Sequence, residues 1–348
     1  PLDPNFNLIA EPRFNIRAFH LHTQHPLELT EALLDHKFEN GLEQVKEYID
    51  WLARNNQNYF DFNLLETISR RKWPQHAKAM VDYCHERGII AGVDVSLHMI
   101  QQKAFMLYRN PPASLRSKKK QIRKNLEWLF QADWDVIDME FSTTEFSEGN
   151  IKEKEELRSL IVRLLKEKYN AKLVGRKHVV KASEMVDGGK KDKGETYREP
   201  IDSLRGILIH TVMFYNLFEE QAPVYGNENL QHMLKALKEE LPQRETWYYP
   251  ETAYWITFDN SVPMFLMPYL NARLDDILLV DSLGVQGHIT FSSGWEWGYW
   301  LFDWSIARWS WKYRKQGEDW HKPYTTQFLD EIFEQKSVQN YFNENLDV

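Results

Sequence analysis

Short apolar runs and longer amphipathic stretches take turns along the chain. NIRAFHLH (15–22) has the length and composition of a strand. It is followed by NGLEQVKEYIDWLARN (40–55), where Leu42, Val45, Ile49 and Leu52 recur at helical spacing. NYFDFNLL (58–65) predicts a second strand, and HAKAMVDYCHERG predicts a helix closed by Gly88. GIIAGVDVSLH (88–98) reads as a buried strand with the helix IRKNLEWLFQA behind it, and WDVIDMEF (134–141) leads to the helix KEELRSLIVRLLKEKY. AKLVGRKHVV (171–180) and GILIHTVMF (206–214) are strands five and six. The helix NLQHMLKALKEEL leads to ETWYYPE (245–251), and PYLNARLDDILLVDSLG leads to the last strand, VQGHITFSS (285–293).

Strands that alternate with helices predict a parallel sheet, and eight such units in roughly 300 residues predict an α/β chain folded as a (β/α)8 TIM barrel. An open doubly wound sheet is the rival, but no GxGxxG loop follows any strand. The stretch VDGGKKDKGETYREP (186–200) reads as a loop after the fifth strand. Residues 1–314 are expected to form the barrel and 315–348 a C-terminal helical extension packed on it.

Composition narrows the class. The chain has 348 residues, 43% hydrophobic and 27% charged, which is a globular composition, and no run of about 18 apolar residues suggests a membrane span. A net charge of -8 argues against a general nucleic-acid binder, and the basic run RSKKKQIRK (116–124) is most simply a solvated helix face. The single cysteine, Cys84, excludes an internal disulfide and lies at a helix-core spacing with Met80. The sequence begins at Pro1 without methionine or signal sequence, so a processed or trimmed chain is the expectation, with localisation left open and a secreted or periplasmic origin one option. Aromatic residues make up 14%, with 13 Trp crowded toward the last third, a composition that suits either a large core or walls for a sugar.

Chemistry in such a barrel belongs at the C-terminal strand ends. In chain order these carry His20 and His22; Asp61 and Asn63; Asp94, with His98 beyond it; Asp138 and Glu140; Arg176 and His178; His210; and Glu251. The eighth strand runs into GWEWGYW with Trp295, Glu296 and Trp297. So many polar residues converging from separate strands is the pattern of a ligand site. Glu251 lies inside YYPETAYW, where a buried, unpaired carboxylate among rings would cost several kcal/mol, so a functional cleft is one explanation and a structural ion pair the other. Tyr249, Trp255, Trp295 and Trp297 could stack on pyranose faces or simply fill the core. Asp138 could be a supporting group, Glu296 a sugar-hydroxyl acceptor or a loop cap, and Glu145 and Glu148 read as loop charges.

Glycosidic hydrolysis needs two carboxyl groups, one to protonate the leaving oxygen and one to attack or stabilise the cationic transition state. Glu140 and Glu251, ending strands four and seven, qualify. At this point the chain resembles the (β/α)8 glycoside hydrolases, which place acid/base and nucleophile at those two strand ends; Met139 stands where those enzymes usually have Asn. EPRFNIRAFHLH is similar to the opening of hexosaminidase- and glucuronidase-type barrels, and Asp138-Met139-Glu140 replaces the adjacent Asp-Glu pair of the former. The resemblance implies an oligo- or polysaccharide substrate, with Glu140 as acid/base, Glu251 as nucleophile or its stabilising partner, and neither metal nor cofactor. The histidines carry the main alternative. His20-Leu21-His22 resembles the HxH pattern by which amidohydrolase-type barrels bind a divalent metal, with His178 and His210 on the matching later strands, although strand four offers Glu140 rather than lysine. A catalytically silent carbohydrate-binding barrel is the third reading.

Overall fold

The computed structural model describes residues 7–24, 28–98, 103–109, 114–140, 151–178, 186–187, 190–191, 206–211, 215–223, 228–251, 267–292, 296–333, 336 and 340. Its centre is a closed parallel barrel of eight strands: β1 (Ile16–Leu21), β2 (Tyr59–Phe62), β3 (Ile90–Asp94), β4 (Val136–Glu140), β5 (Lys172–His178), β6 (Gly206–Thr211), β7 (Glu245–Pro250) and β8 (Gly287–Ser292). Each strand pairs with the next in sequence, and β8 pairs back onto β1, with Ile289 opposite Ala18 and Phe291 opposite His20. The chain is therefore an α/β protein with the (β/α)8 architecture that the apolar pattern predicts.

Helices cover the barrel: α1 (Gly41–Arg54), α2 (Trp73–Glu86), α3 (Leu115–Leu129), α4 (Ile151–Leu164), α5 (Gln231–Glu240), α6 (Met267–Ser282) and α7 (Glu296–Trp309). They bury apolar stripes against the strands. In α1 the stripe is Val45, Ile49 and Leu52, and in α3 it is Ile122, Leu126 and Leu129, the i, i+4, i+7 spacing that puts side chains over one another on a single face. Local signals set the ends. Pro74 stands in the first turn of α2, Ser114 caps α3 by accepting from the Ser117 N–H at 3.3 Å, and Gly88 stops α2 at φ +69°, a conformation costly for other residues. The basic run on α3 is not solvated throughout, since Lys118 and Lys119 reach Glu153 and Glu156 on α4. Cys84 is buried between α2 and the barrel core.

Two apolar layers result. The larger lies between strands and helices, and the smaller fills the lower barrel interior with Ile16, Ala18, Tyr59, Val136, Val174, Leu208, Trp247, Ile289 and their neighbours. Gly92 and Gly287 make room there: a Cβ on Gly92 would overlap the Tyr59 ring, and one on Gly287 would stand 2.5 Å from the Trp247 indole. The two rings meet edge to face, 5.8 Å apart, and plug the barrel floor. Outside the barrel, a strand at Leu8–Pro12 pairs antiparallel with Trp311–Lys315, and a short helix, Gln327–Ile332, buries Phe328 and Leu329 while Glu331 meets Arg308 of α7 at 3.0 Å.

Candidate active site

Above the aromatic plug the barrel interior turns polar, because the inward positions one step up the strands are His20, Asp61, Asp94, Asp138, Arg176 and His210, all buried. Alternation along each strand puts these side chains inside: Ala18 then His20, Tyr59 then Asp61, Val136 then Asp138, Val174 then Arg176, Leu208 then His210. Arg176 is the hub. Its Nη2 donates to Asp94 at 2.7 Å and to Asp138 at 2.8 Å, and its guanidinium lies 4.9 Å from the centre of the Tyr249 ring. Asn63 donates through Nδ2 to the same Asp94 oxygen.

Burial raises the pKa of Asp94 and Asp138, opposed by Arg176. Asp61 is pushed well above the usual carboxylate range, first by burial and then by the charges of Asp138 and Asp94. Among the described residues, neither of its oxygens has a hydrogen-bond partner; the nearby Phe62 amide favours its charge without bonding geometry. Burial and Arg176 together hold His20 well below the ordinary imidazole range, so it is neutral. Its Nε2 lies 3.4 Å from both Arg176 Nη2 and Asp94 Oδ2, and its Nδ1 lies 2.7 Å from the Tyr249 hydroxyl.

Tyr249 also organises the second half of the site. Its backbone carbonyl lies 3.1 Å from His210 Nδ1. A carbonyl only accepts, so His210 carries a proton on Nδ1, and its Nε2 faces Glu251 Oε1 at 3.2 Å. Glu251 itself is buried just past the end of β7, bridged through its backbone to Phe291 of β8. The Phe291 ring packs 4.2 Å from His22 and 5.5 Å from His210. The acid inside YYPE is thus placed by the rings around it: Tyr249 supplies a carbonyl to orient His210, and His210 meets the carboxyl.

The structure therefore brings together His20, Asp61, Asn63, Asp94, Asp138, Arg176, His210, Tyr249 and Glu251, with His22 at the rim of the same interior. His98 sits apart, stacked on Tyr108 at 5.0 Å in the connection after β3. Glu140 closes β4 as the register partner of Arg176, and His178 closes β5 opposite His210. Their side chains, like those of Glu296 and Trp297 in α7, and the whole of Glu145, Glu148, Trp255 and Trp295, lie outside the described residues. Two residues that the sequence did not single out, Tyr59 and Phe291, line the interior. The signal for both was the strand alternation that puts Tyr59 on the face of Asp61 and Phe291 beside His20. Among the described residues, His20, Asp61 and Asp138 are the group whose donor atoms, all within 4.8 Å of one another, could hold a metal ion.

No protein-family model matches the chain, and its sequence matches no curated protein. Solved structures that share the fold include glycoside hydrolases. A GH138 enzyme targeting pectin rhamnogalacturonan II aligns over 86% of this chain and 39% of its own at 10% identity and a TM-score of 0.51. CpGH84B aligns over 86% of this chain and 49% of its own at 14% identity and a TM-score of 0.50. A GH5-4 broad specificity endoglucanase from an uncultured bacterium aligns over 86% and 94% at 10% identity and a TM-score of 0.51. The chain spans less than half the length of the first two. At these identities the likeness is one of fold: a (β/α)8 barrel of the kind glycoside hydrolases use.

Proposed function

We propose that the chain is a glycoside hydrolase-like enzyme that cleaves a glycosidic bond in an oligo- or polysaccharide, with Glu251 as nucleophile or charge-stabilising carboxylate and Glu140 as general acid/base. The observation that carries the reading is the His210–Glu251 contact at 3.2 Å, with His210 oriented from behind by the Tyr249 carbonyl. A carboxyl at the C-terminal end of β7, buried and facing an oriented imidazole, is equipped for acid–base or charge-stabilising chemistry. Glu140 belongs to β4, three strands away around the barrel, so a sugar ring lying across the mouth would have one carboxyl on either side. In this reading the Arg176 cluster forms the fixed, charged floor, and Asn63 and His22 offer hydrogen bonds to sugar hydroxyls. Trp255, Trp295, Glu296 and Trp297 belong to the segments that would wall the cleft.

The test is a panel of aryl glycosides and plant and bacterial polysaccharides, scored for wild type, Glu251→Gln and Glu140→Gln. Glu251→Gln should abolish turnover on every substrate the wild type cleaves while ligand affinity persists. Glu140→Gln should lose about 10²–10⁴-fold on natural linkages and far less on dinitrophenyl glycosides, whose leaving group needs no proton. Retained turnover in Glu251→Gln, on any glycoside the wild type cleaves, refutes the assignment. Bound ligand with no hydrolysis by wild type on the whole panel would leave a silent carbohydrate-binding barrel.

A further inference from the structure

The polar floor holds more carboxyl groups than cations among the described residues. Asp61, Asp94 and Asp138 are all buried, and Arg176 bonds Asp94 and Asp138 but not Asp61.

The unmatched atoms point to one place. Arg176 Nη2 has two hydrogens, and they are taken up by Asp94 and by Asp138 Oδ2. Among the described residues Asp138 Oδ1 has no hydrogen-bond partner, nor has either oxygen of Asp61, whose side chain is fully buried. Asp61 Oδ2 stands 3.8 Å from His20 Nε2. When that nitrogen ligates an ion the ring proton sits on Nδ1, where the Tyr249 hydroxyl 2.7 Å away can accept it. An imidazole whose rear N–H is tied to a fixed oxygen is the arrangement by which proteins orient a histidine toward a metal.

We infer that His20, Asp61 and Asp138 form a binding site for a first-row divalent cation of the Mn²⁺ or Zn²⁺ class, seated in the barrel interior beneath the candidate cleft. One imidazole nitrogen and two carboxylates are a mixed donor set that suits such ions, whereas Ca²⁺ takes six to eight oxygens and would find too few here. Donor atoms about 2.0–2.2 Å from a common ion lie roughly 3.3–3.6 Å apart in tetrahedral geometry. The present spread of up to 4.8 Å closes when the side chains draw in by about 1 Å. A divalent ion would give the orphaned oxygens of Asp61 and Asp138 a partner. This site shares neither Glu140 nor Glu251 with the proposed glycosidase chemistry, and it differs from the HxH reading because its second and third ligands come from β2 and β4 rather than from His22, His178 and His210.

The experiment uses Co²⁺ as a spectroscopic probe and Mn²⁺ as a second ion. Protein stripped with EDTA and dialysed is titrated with Co²⁺, following the d–d absorption, and with Mn²⁺, following the loss of the free-ion paramagnetic resonance signal. The expected result is saturation at one ion per chain, lost at least tenfold in affinity in Asp61→Asn and weakened about 10–100-fold in Tyr249→Phe, which removes only the oxygen behind His20. Glu251→Gln should bind both ions as wild type does, whatever it does to hydrolysis, so this inference and the proposed function fail separately. The wild-type titration decides the matter even if Asp61→Asn does not fold. Absence of saturable binding overturns the inference, and so does binding that Asp61→Asn leaves unchanged, which would mark surface histidines as the ligands.

Discussion

Replacing Arg176 by Met tests the charge account of the barrel interior directly. The side chains are of similar length, so the substitution removes the guanidinium with little change in packed volume. What it leaves behind is Asp94 and Asp138, both buried and both bonded to Arg176 within 2.8 Å in the native chain. Removing one partner of a buried ion pair costs about 3–5 kcal/mol because the remaining charge has neither water nor counter-ion, which is about a 10²–10⁴-fold loss in the folding equilibrium. The penalty should depend on pH with a definite sign. Burial already raises both acids and Arg176 opposes it, so without Arg176 they rise further. A carboxyl whose folded pKa exceeds its unfolded value stabilises the fold while protonated and loses that contribution as pH climbs. Urea unfolding followed by tryptophan fluorescence, in EDTA so that no cation substitutes for the lost charge, should show a larger deficit for Arg176→Met at pH 8 than at pH 5. Arg176→Lys should recover part of it, since one ammonium cannot reproduce the fork. A deficit below about 1 kcal/mol at pH 8, or one that does not change with pH, would refute the picture of two carboxylates held by one cation.

Two further outcomes follow from the frame around the site. Gly92→Ala should destabilise by about 1–3 kcal/mol through overlap with the Tyr59 ring, and adding Tyr59→Leu should return part of that loss in a thermal melt; additive losses would mean the ring does not occupy the glycine notch. Asp276, which accepts from Tyr248 at 2.6 Å and from the Leu217 amide at 2.7 Å, is raised to about 6, chiefly by burial. Its stabilising contribution is complete below the unfolded carboxylate value and is lost as pH rises through about 6, a change of roughly 3 kcal/mol. Asp276→Asn should therefore flatten the pH dependence of the urea midpoint between pH 4 and 7, and parallel wild-type and variant curves would contradict it.

The fold was legible because each strand is a short apolar run fenced by polar helix surface, and that alternation is a linear property. Strand ends were less so. The apolar run 58–65 continues past the ladder end at Phe62, since Leu64 and Leu65 stay buried beneath the connection that follows β3, where the Phe105 amide donates to the Leu64 carbonyl. The pairing of Leu8–Pro12 with Trp311–Lys315 joins segments some 300 positions apart and has no local signature. At the site, the strand-end residues could be named from the sequence, but their division of labour could not. That Arg176 answers to Asp94 and Asp138, and His210 to Glu251, depends on which inward positions share a level, and the stagger between strands sets that. The glycines that admit Tyr59 and Trp247 were invisible for the same reason.

The seam between β8 and β1 has a consequence for how the chain is made. Ile16–Leu21 is synthesised about 270 residues before its second neighbour, Gly287–Ser292, and the Leu8–Pro12 strand waits even longer for its mate. Until then one hydrogen-bonding flank of β1, in a chain where every β1 side chain is destined for burial, stands open to other nascent chains. Closing so distant a contact is entropically slow. This protein's hazard in the cell is thus one of timing, and chaperone dependence should end only when Gly287–Ser292 and Trp311–Lys315 have emerged.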